Sequence, residues 1–544
     1  MKNMNPIFSL KNFRSFGEDG ADFELAPITV LTGCNSAGKS SLVKALMLLS
    51  GKERTDYSSL DYEEKLPISS KQLCLGGYKA VSHKDKKIAM SYRIWSNYLQ
   101  DDIVVKREFC TKHNDALNDG ALYQLTVEKL DGTLIYQAGP GWVDGHIMQN
   151  TYDDAIREEF NKFYAVGCYI NLMNLLPILE GREKEQQTNG TIDYQEKRSE
   201  TSLKIVKDRL RTAGVTESEA VSLWKLYNHE SFNAVIHAVD NCLGFEKKLF
   251  VTLSDIMKYP EDDRDLDIMM DKFLDCVVGD ACSPYFTQQP TYINSTSAQI
   301  ARLYSAEDDN KMCNALRELN NRIIDFKDHS DGFYMSEFSV HKPGSFLNKW
   351  LKKFGIGDSI EVLGTDEGLG IMTYLHNGNE KRLLADEGYG ITQLVSLLLQ
   401  IDNCIPLYLG ADEDESNSLP IGLGVYHYPI HTICVEEPEV HLHPKYQSML
   451  ADMFVEAYQK YNIHFIIETH SEYLIRKLQV LVADKDRALN PNNVSLNYVE
   501  KDEKGTSHNR QIKIQEDGRL GGSFGKGFYD EAGGLSRKLF MLID

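Results

Sequence analysis

The chain has 544 residues, 42% hydrophobic and 26% charged, with a formal net charge of −21 and a pI near 5.2. That length accommodates roughly two to four domains with ample core, and the acidic balance opposes a chain-wide affinity for nucleic acid. The ten cysteines are scattered without a Cys-x-x-Cys pair, charges at Lys11, Arg14, Glu18 and Asp19 fit no signal peptide, and no apolar run spans a bilayer. A cytoplasmic protein with reduced thiols and no membrane partner is expected.

Residues 7–10 and 23–25 read as strands entering a sheet. Residues 28–32, Ile-Thr-Val-Leu-Thr, read as a buried strand. Then comes Gly33-Cys34-Asn35-Ser36-Ala37-Gly38-Lys39-Ser40, the phosphate-binding pattern of Gly, four residues, Gly-Lys-Ser. A helical run from Ser41 follows. Strand, glycine turn and helix are the context in which backbone N–H groups converge on a phosphate. Lys39 supplies a point charge for the β- and γ-phosphates of ATP, and Ser40 a hydroxyl for Mg²⁺. Gly33, Asn35, Ser36, Ala37, Gly38 and Ser41 complete this set of nucleotide contacts.

Alternating apolar residues at 88–95, 103–109 and 122–130, turning at Asp131-Gly132 into 133–137, predict a β-rich lobe. From about 151 the pattern predicts helices. Residues 180–200 read as a polar loop and 202–278 as several amphipathic helices with breaks at Gly214, Gly244 and Pro260. A returning strand is expected at 291–294 and a helix over 300–326. Strands follow at 337–340, 360–363, 371–375 and 382–385, and a helix over 391–400. Residues 412–418 form an acidic, solvated loop. The remaining expected elements are a strand at 431–435, a helix from Pro444 to about 461, a strand at 463–467 with a helix after it, and closing strands at 494–499 and 512–514.

Two of these strands end in chemistry. Ile433-Cys-Val-Glu436-Glu437-Pro438 delivers two carboxylates at a strand end. A P-loop hydrolase needs an acid in the metal shell, here Glu436, and a general base for the attacking water, here Glu437. Phe465-Ile-Ile-Glu-Thr-His470-Ser471 places His470 at the same edge, where a neutral imidazole holds the γ-phosphate and the water. His441 and His443 lack a third metal ligand and are expected in structure or in a subunit contact. Asp484-Lys-Asp486 reads as a solvated pair.

Taken together, the phosphate loop, the Glu-Glu-Pro-Glu-Val-His-Leu-His-Pro run at 436–444 and Glu468-Thr-His-Ser471 resemble the ABC-type ATPases of the SMC-like and OLD-like group. Residues 10–16 and 525–530 are similar to that group too. The resemblance implies an α/β ABC-type P-loop ATPase head, split into halves at 1–150 and 331–544 around a mainly helical insert at 151–330. It implies ATP and Mg²⁺ as cofactors, and head-to-tail dimers in which each phosphate loop faces a signature segment of the partner. The matching segment here is residues 386–393, with Gly388 and Gly390 allowing close approach and Thr392 capping the following helix. Gln72 is the corresponding lid-loop glutamine. Without long heptads or an appended nuclease domain, the chain is most similar to the ATPase subunit of Septu-type anti-phage systems, including retron-associated ones. The partners so implied are a separately encoded HNH nuclease, further copies of the chain, a retron reverse transcriptase and nucleic acid. Two readings compete with it. One is a DNA-repair or recombination clamp holding DNA directly, through clusters such as Lys84, Lys86 and Lys87. The other, disfavoured by the short tail, is a self-contained nuclease.

Overall fold

The computed structural model describes residues 5–51, 53–54, 64–70, 73, 75–96, 101–111, 119–132, 134–138, 164–170, 220–228, 231–239, 250–252, 289–294, 301–305, 311–329, 339–364, 370–406, 408–409, 431–485, 489–525 and 530–543. The chain divides into two units, Met1–Asp22 with Met47–Thr287, and Phe23–Leu46 with Gln288–Asp544.

The first unit is built on antiparallel strands. Ile7–Lys11 pairs with Ile88–Ser96, which pairs in turn with Asp101–Thr111. Gly120–Lys129, Leu134–Ala138 and Tyr164–Ile170 follow. The expected β-rich lobe is therefore present, and its alternation has the physical origin read from the sequence. Phe8, Leu10, Met90, Tyr92, Ile103, Val105 and Phe109 are buried while their strand neighbours are more open. Buried Arg107 donates to the Tyr92 hydroxyl at 2.8 Å.

The expectation of a mainly helical stretch needs correction here. Among the described residues from 151 to 278, Tyr164–Ile170, Ala220–Asn228, Ser231–Val239 and Phe250–Thr252 are strands of the same sheet, where helices are expected from about 151. Their sequences carry Val221, Trp224, Tyr227, Phe232, Val235, Ile236 and Val239, residue types that fit a pleated surface. Short apolar runs of this kind satisfy either period, and the pairing of Asn228 with Ser231 fixes a hairpin. The polar loop at 180–200 and the acidic loop at 412–418 lie outside the described residues.

The second unit carries a six-stranded sheet ordered Thr291–Ile293, Thr432–Glu436, His464–Glu468, Ile28–Gly33, Val494–Lys501, Ser507–Ile512. The first five strands run parallel and the last is antiparallel. All six residues of Ile28–Gly33 are buried, as are all five of His464–Glu468, the burial expected of central parallel strands. Helices Lys39–Ser50, Tyr389–Cys404, Pro444–Tyr461 and Glu472–Ala483 follow the expected positions, and the helix expected over 300–326 lies at Lys311–His329. A small antiparallel sheet joins Ser359–Gly364, Gly370–Asn377 and Glu380–Leu383. The fold is α/β around a P-loop sheet.

One buried charge organises the helices of this unit. Asp402 is fully buried and accepts the N–H groups of Gly344, Phe346 and Leu347 at 2.6, 3.0 and 3.1 Å. It thereby caps helix Ser345–Phe354 from a distant segment. Arg322 donates to the Asp402 carbonyl at 2.7 Å and to that of Ile405, closing the end of the Tyr389–Cys404 helix.

Candidate functional site

Three adjacent parallel strands, Thr432–Glu436, His464–Glu468 and Ile28–Gly33, end at one edge of the sheet. Register places Glu436 opposite Glu468, and Glu468 opposite Leu31. The phosphate loop, the carboxylate pair and His470 are thus delivered together, because each motif directly follows its strand. This is the carboxyl edge at which open α/β sheets bind ligands.

The loop is held from below. Gly33 has φ +138, and a Cβ there would lie 2.0 Å from the Val499 carbonyl oxygen. Ser507 Oγ donates to the Ala37 carbonyl at 2.5 Å. Ser36 and Gly38 also have positive φ, as a loop turning its N–H groups toward one centre requires. Helix Lys39–Ser50 begins directly behind it. Lys39 is 4% exposed; its Nζ donates to the carbonyls of Gly33 and Cys34 at 3.2 and 3.0 Å and lies 3.9 Å from Glu468 Oε1. Burial pulls the Lys39 ammonium below its usual range, and Glu468 opposes that shift.

Glu468 is a member of the site that sequence reasoning missed. Burial pushes its carboxyl up to about 7, against a hydrogen bond from Ser40, with Glu436, Lys39 and Glu437 as neighbouring charges. Its signal is its place as the last residue of an apolar strand, directly before Thr-His-Ser. Glu439 was missed likewise. It is 7% exposed, its Oε1 accepts the His470 N–H at 2.6 Å, and burial raises its pKa. It fixes the backbone at His470 rather than meeting solvent.

Glu437 sits at φ +47, a left-handed conformation uncommon outside glycine and asparagine. Its N–H donates to the Glu468 carbonyl at 2.7 Å. His470 Nε2 lies 3.9 Å from Glu437 Oε1, and both side chains are about one-third exposed. Burial, with Lys39 nearby, lowers the His470 pKa, so its imidazole is neutral at neutral pH. Ser471 caps the next helix by accepting the Leu474 N–H at 3.2 Å and donates to Gln447 at 2.7 Å.

The metal side has a matching donor set. Among the described residues no group of three or more His, Cys, Asp or Glu side chains forms a metal cage. A phosphate-bridged Mg²⁺ needs less, since it keeps several waters and takes one or two protein oxygens. Among the described residues Glu436 Oε1 is buried without a hydrogen-bond partner, although Tyr292 hydrogen-bonds the same carboxylate, and both the Ser40 hydroxyl and Glu436 neighbour Glu468. These residues fit the ion.

The segment 386–393 lies against the same turn. Gly390 is packed so that a Cβ would meet the His441 carbonyl oxygen at 2.5 Å, whereas Gly388 faces open space. The rings of Tyr389 and His441 meet edge to face at 4.9 Å. The helix starts at Tyr389 with Gly388 as N-cap, which corrects the expected role of Thr392. That residue is already inside the first turn, buried, and its hydroxyl donates back to the Tyr389 carbonyl at 2.8 Å. His443 is an N-cap, accepting the Lys445 N–H at 3.2 Å, so its role is structural as expected. Gln72 and Asp486 lie outside the described residues.

Family models match three stretches of the chain. An AAA domain matches residues 8–227, an AAA ATPase domain residues 280–475, and a protein family of unknown function (DUF3696) residues 489–539. These domain matches, with the α/β fold, support an ATPase. Similar solved structures include an Smc head bound to the C-winged helix domain of ScpA, with 12% identity over 93% of this chain and 98% of that chain and a TM-score of 0.37. Another is the Smc head from Pyrococcus furiosus with an extended coiled coil, bound to the C-terminal domain of ScpA (9%, 98% and 99%, 0.37). A third is the SMC head from Thermotoga maritima (10%, 94% and 99%, 0.33). No curated protein matches the chain.

Proposed function

We propose that the chain is an SMC-like, ABC-type ATPase head that binds and hydrolyses ATP with Mg²⁺ and closes head to tail on a second copy of itself. The observation that carries this reading is the convergence of Lys39, Ser40, Glu436, Glu437 and His470 at the ends of three adjacent parallel strands. The loop N–H groups of Gly33 to Ser41, with Asn35, Ser36 and Ala37 among them, cradle the phosphates. Lys39 exchanges its loop carbonyls for the β- and γ-phosphates. Ser40 and, directly or through water, Glu436 would hold Mg²⁺, which when bound would supply positive charge against the phosphate oxygens. Glu437 takes the proton of the attacking water, and neutral His470 orients that water against the γ-phosphate. The N-terminus of helix Tyr389–Cys404, opening at Gly388 and Gly390, is the surface offered to the partner's nucleotide.

In this reading the head serves a prokaryotic defence complex and governs a separate nuclease of HNH type, with dimer closure as the control. The basis for that step is analogy within the SMC-like and OLD-like group that motifs 33–40, 436–444 and 468–471 resemble, and not the motifs themselves. ATPase assays with Mg²⁺ test the core of the proposal. Lys39→Ala should abolish measurable nucleotide binding. Glu437→Gln should bind ATP normally and turn over about 10²-fold more slowly or worse. Wild-type turnover by Glu437→Gln would remove Glu437 as the base. The purified chain alone should not cut DNA or tRNA, and cleavage surviving Glu437→Gln would replace the nuclease-control reading.

A further inference from the structure

A general base works only if its carboxylate stays where the attacking water will be, and Glu437 is not held there by ordinary backbone geometry. With φ +47 it occupies a region that non-glycine residues seldom adopt. Such conformations persist where surrounding contacts over-determine them. Its N–H is held by Glu468, as above. Its carbonyl oxygen accepts two donors: Val440 N–H at 3.1 Å, which closes the local turn, and Gln393 Nε2 at 3.2 Å, which reaches it from another element.

Gln393 stands in the first turns of helix Tyr389–Cys404 and is 7% exposed. A buried glutamine in a helix is costly unless its amide is used. Here the donor half goes to Glu437, while Gln393 Oε1 has no hydrogen-bond partner among the described residues. The orientation follows from chemistry, because a carbonyl oxygen can only accept, so the NH₂ must face it. The same helix start also grips the turn at Gly390 and Tyr389, against the His441 backbone and ring. The segment offered to a partner's nucleotide is therefore joined, within one chain, to the backbone that aims Glu437.

We infer that Gln393 is a positioning residue for hydrolysis: its amide holds the left-handed Glu437 backbone and so fixes the carboxylate on the attacking water. The inference rests on Glu437 being the base. Gln393 touches neither nucleotide nor water; its effect passes through Glu437. Removing the donor should therefore lower kcat without weakening ATP binding.

Two variants separate this from a merely structural role. Gln393→Met keeps length and helix propensity but has no donor, and Gln393→Glu keeps shape but sets an acceptor against the carbonyl. Each is expected to lower kcat about 10- to 100-fold, with the ATP dissociation constant and thermal midpoint close to wild type. In the Glu437→Gln background, Gln393→Met should change the remaining rate less than twofold, because an unused base needs no aiming. Wild-type kcat in either folded variant, beside a slow Glu437→Gln, would overturn the inference. So would a full additional loss from Gln393→Met in the Glu437→Gln background. A Glu437→Gln protein hydrolysing at the wild-type rate would instead overturn the base assignment itself.

Discussion

At the scale of single residues the site depends on two kinds of constraint, space and burial. Gly33 illustrates the first. No side chain fits where a Cβ would sit 2.0 Å from the Val499 oxygen at φ +138, so Gly33→Ala must move the phosphate loop or the adjoining strand. The expected result is loss of nucleotide binding and a destabilisation of about 2 kcal/mol or more, read by calorimetry with ATP and by urea unfolding. His464 illustrates the second. It lies on the strand that delivers Glu468, packed 5.8 Å from the Tyr458 ring, and burial lowers its pKa to about 4. Between that value and the ordinary 6.5 the unfolded chain binds a proton that the folded chain refuses. The His464 contribution to stability therefore falls as pH drops through this window, by about 2 kcal/mol at pH 5 relative to pH 7, while Glu468, whose carboxyl is raised to about 7, contributes in the opposite direction over the same range. In urea titrations His464→Leu should raise stability at pH 5 relative to pH 7 by about 2 kcal/mol compared with the same difference in the wild type.

At the scale of elements, the fold is joined by caps contributed from afar. Asp402 serves three N–H donors at the start of helix Ser345–Phe354. Asp402→Ala should cost about 3–5 kcal/mol, more than a single cap, because the donors become buried orphans. Asp402→Asn keeps one acceptor oxygen and should lose roughly half as much. Urea unfolding of both variants checks the order. What the sequence made legible at this scale was whatever is local. The phosphate loop follows its strand, Glu436 and Glu437 end theirs, and Pro444 opens its helix, all within a few residues. What it hid depends on partners distant in the chain. Asp402 caps a helix from more than fifty residues away, and Gln393 reaches Glu437 across 44. Glu468 and Glu439 look like surface acids until neighbouring strands bury them. Within 202–278, where helices are expected, Ala220–Asn228 and Ser231–Val239 are strands because their apolar runs fit both periods and pairing with other strands decides between them.

At the scale of the whole molecule, the proposed head-to-tail pairing makes a prediction that one chain alone cannot satisfy. The start of helix Tyr389–Cys404 contributes nothing to phosphate binding in its own subunit, yet it presents Gly388 with open space around the Cβ position and φ −64, allowed for any residue. Gly388→Asp should therefore fold; aspartate is a favoured N-cap and can stabilise the helix. What it adds is a negative charge where the partner's γ-phosphate would approach, a repulsion that a closed interface magnifies. The variant is expected to bind ATP in its own phosphate loop and fail to hydrolyse it. Lys39→Ala fails for the opposite reason, an intact signature surface beside a broken loop. In a mixed dimer both lesions fall in one composite site and the other is wild type. Equal mixing yields mixed dimers as about half the population, each with one working site, so the mixture should recover about a quarter of wild-type ATPase activity from two inactive proteins. Mixed dimers shown by differential tagging to form, with activity no higher than either parent, would mean that each head completes its own site.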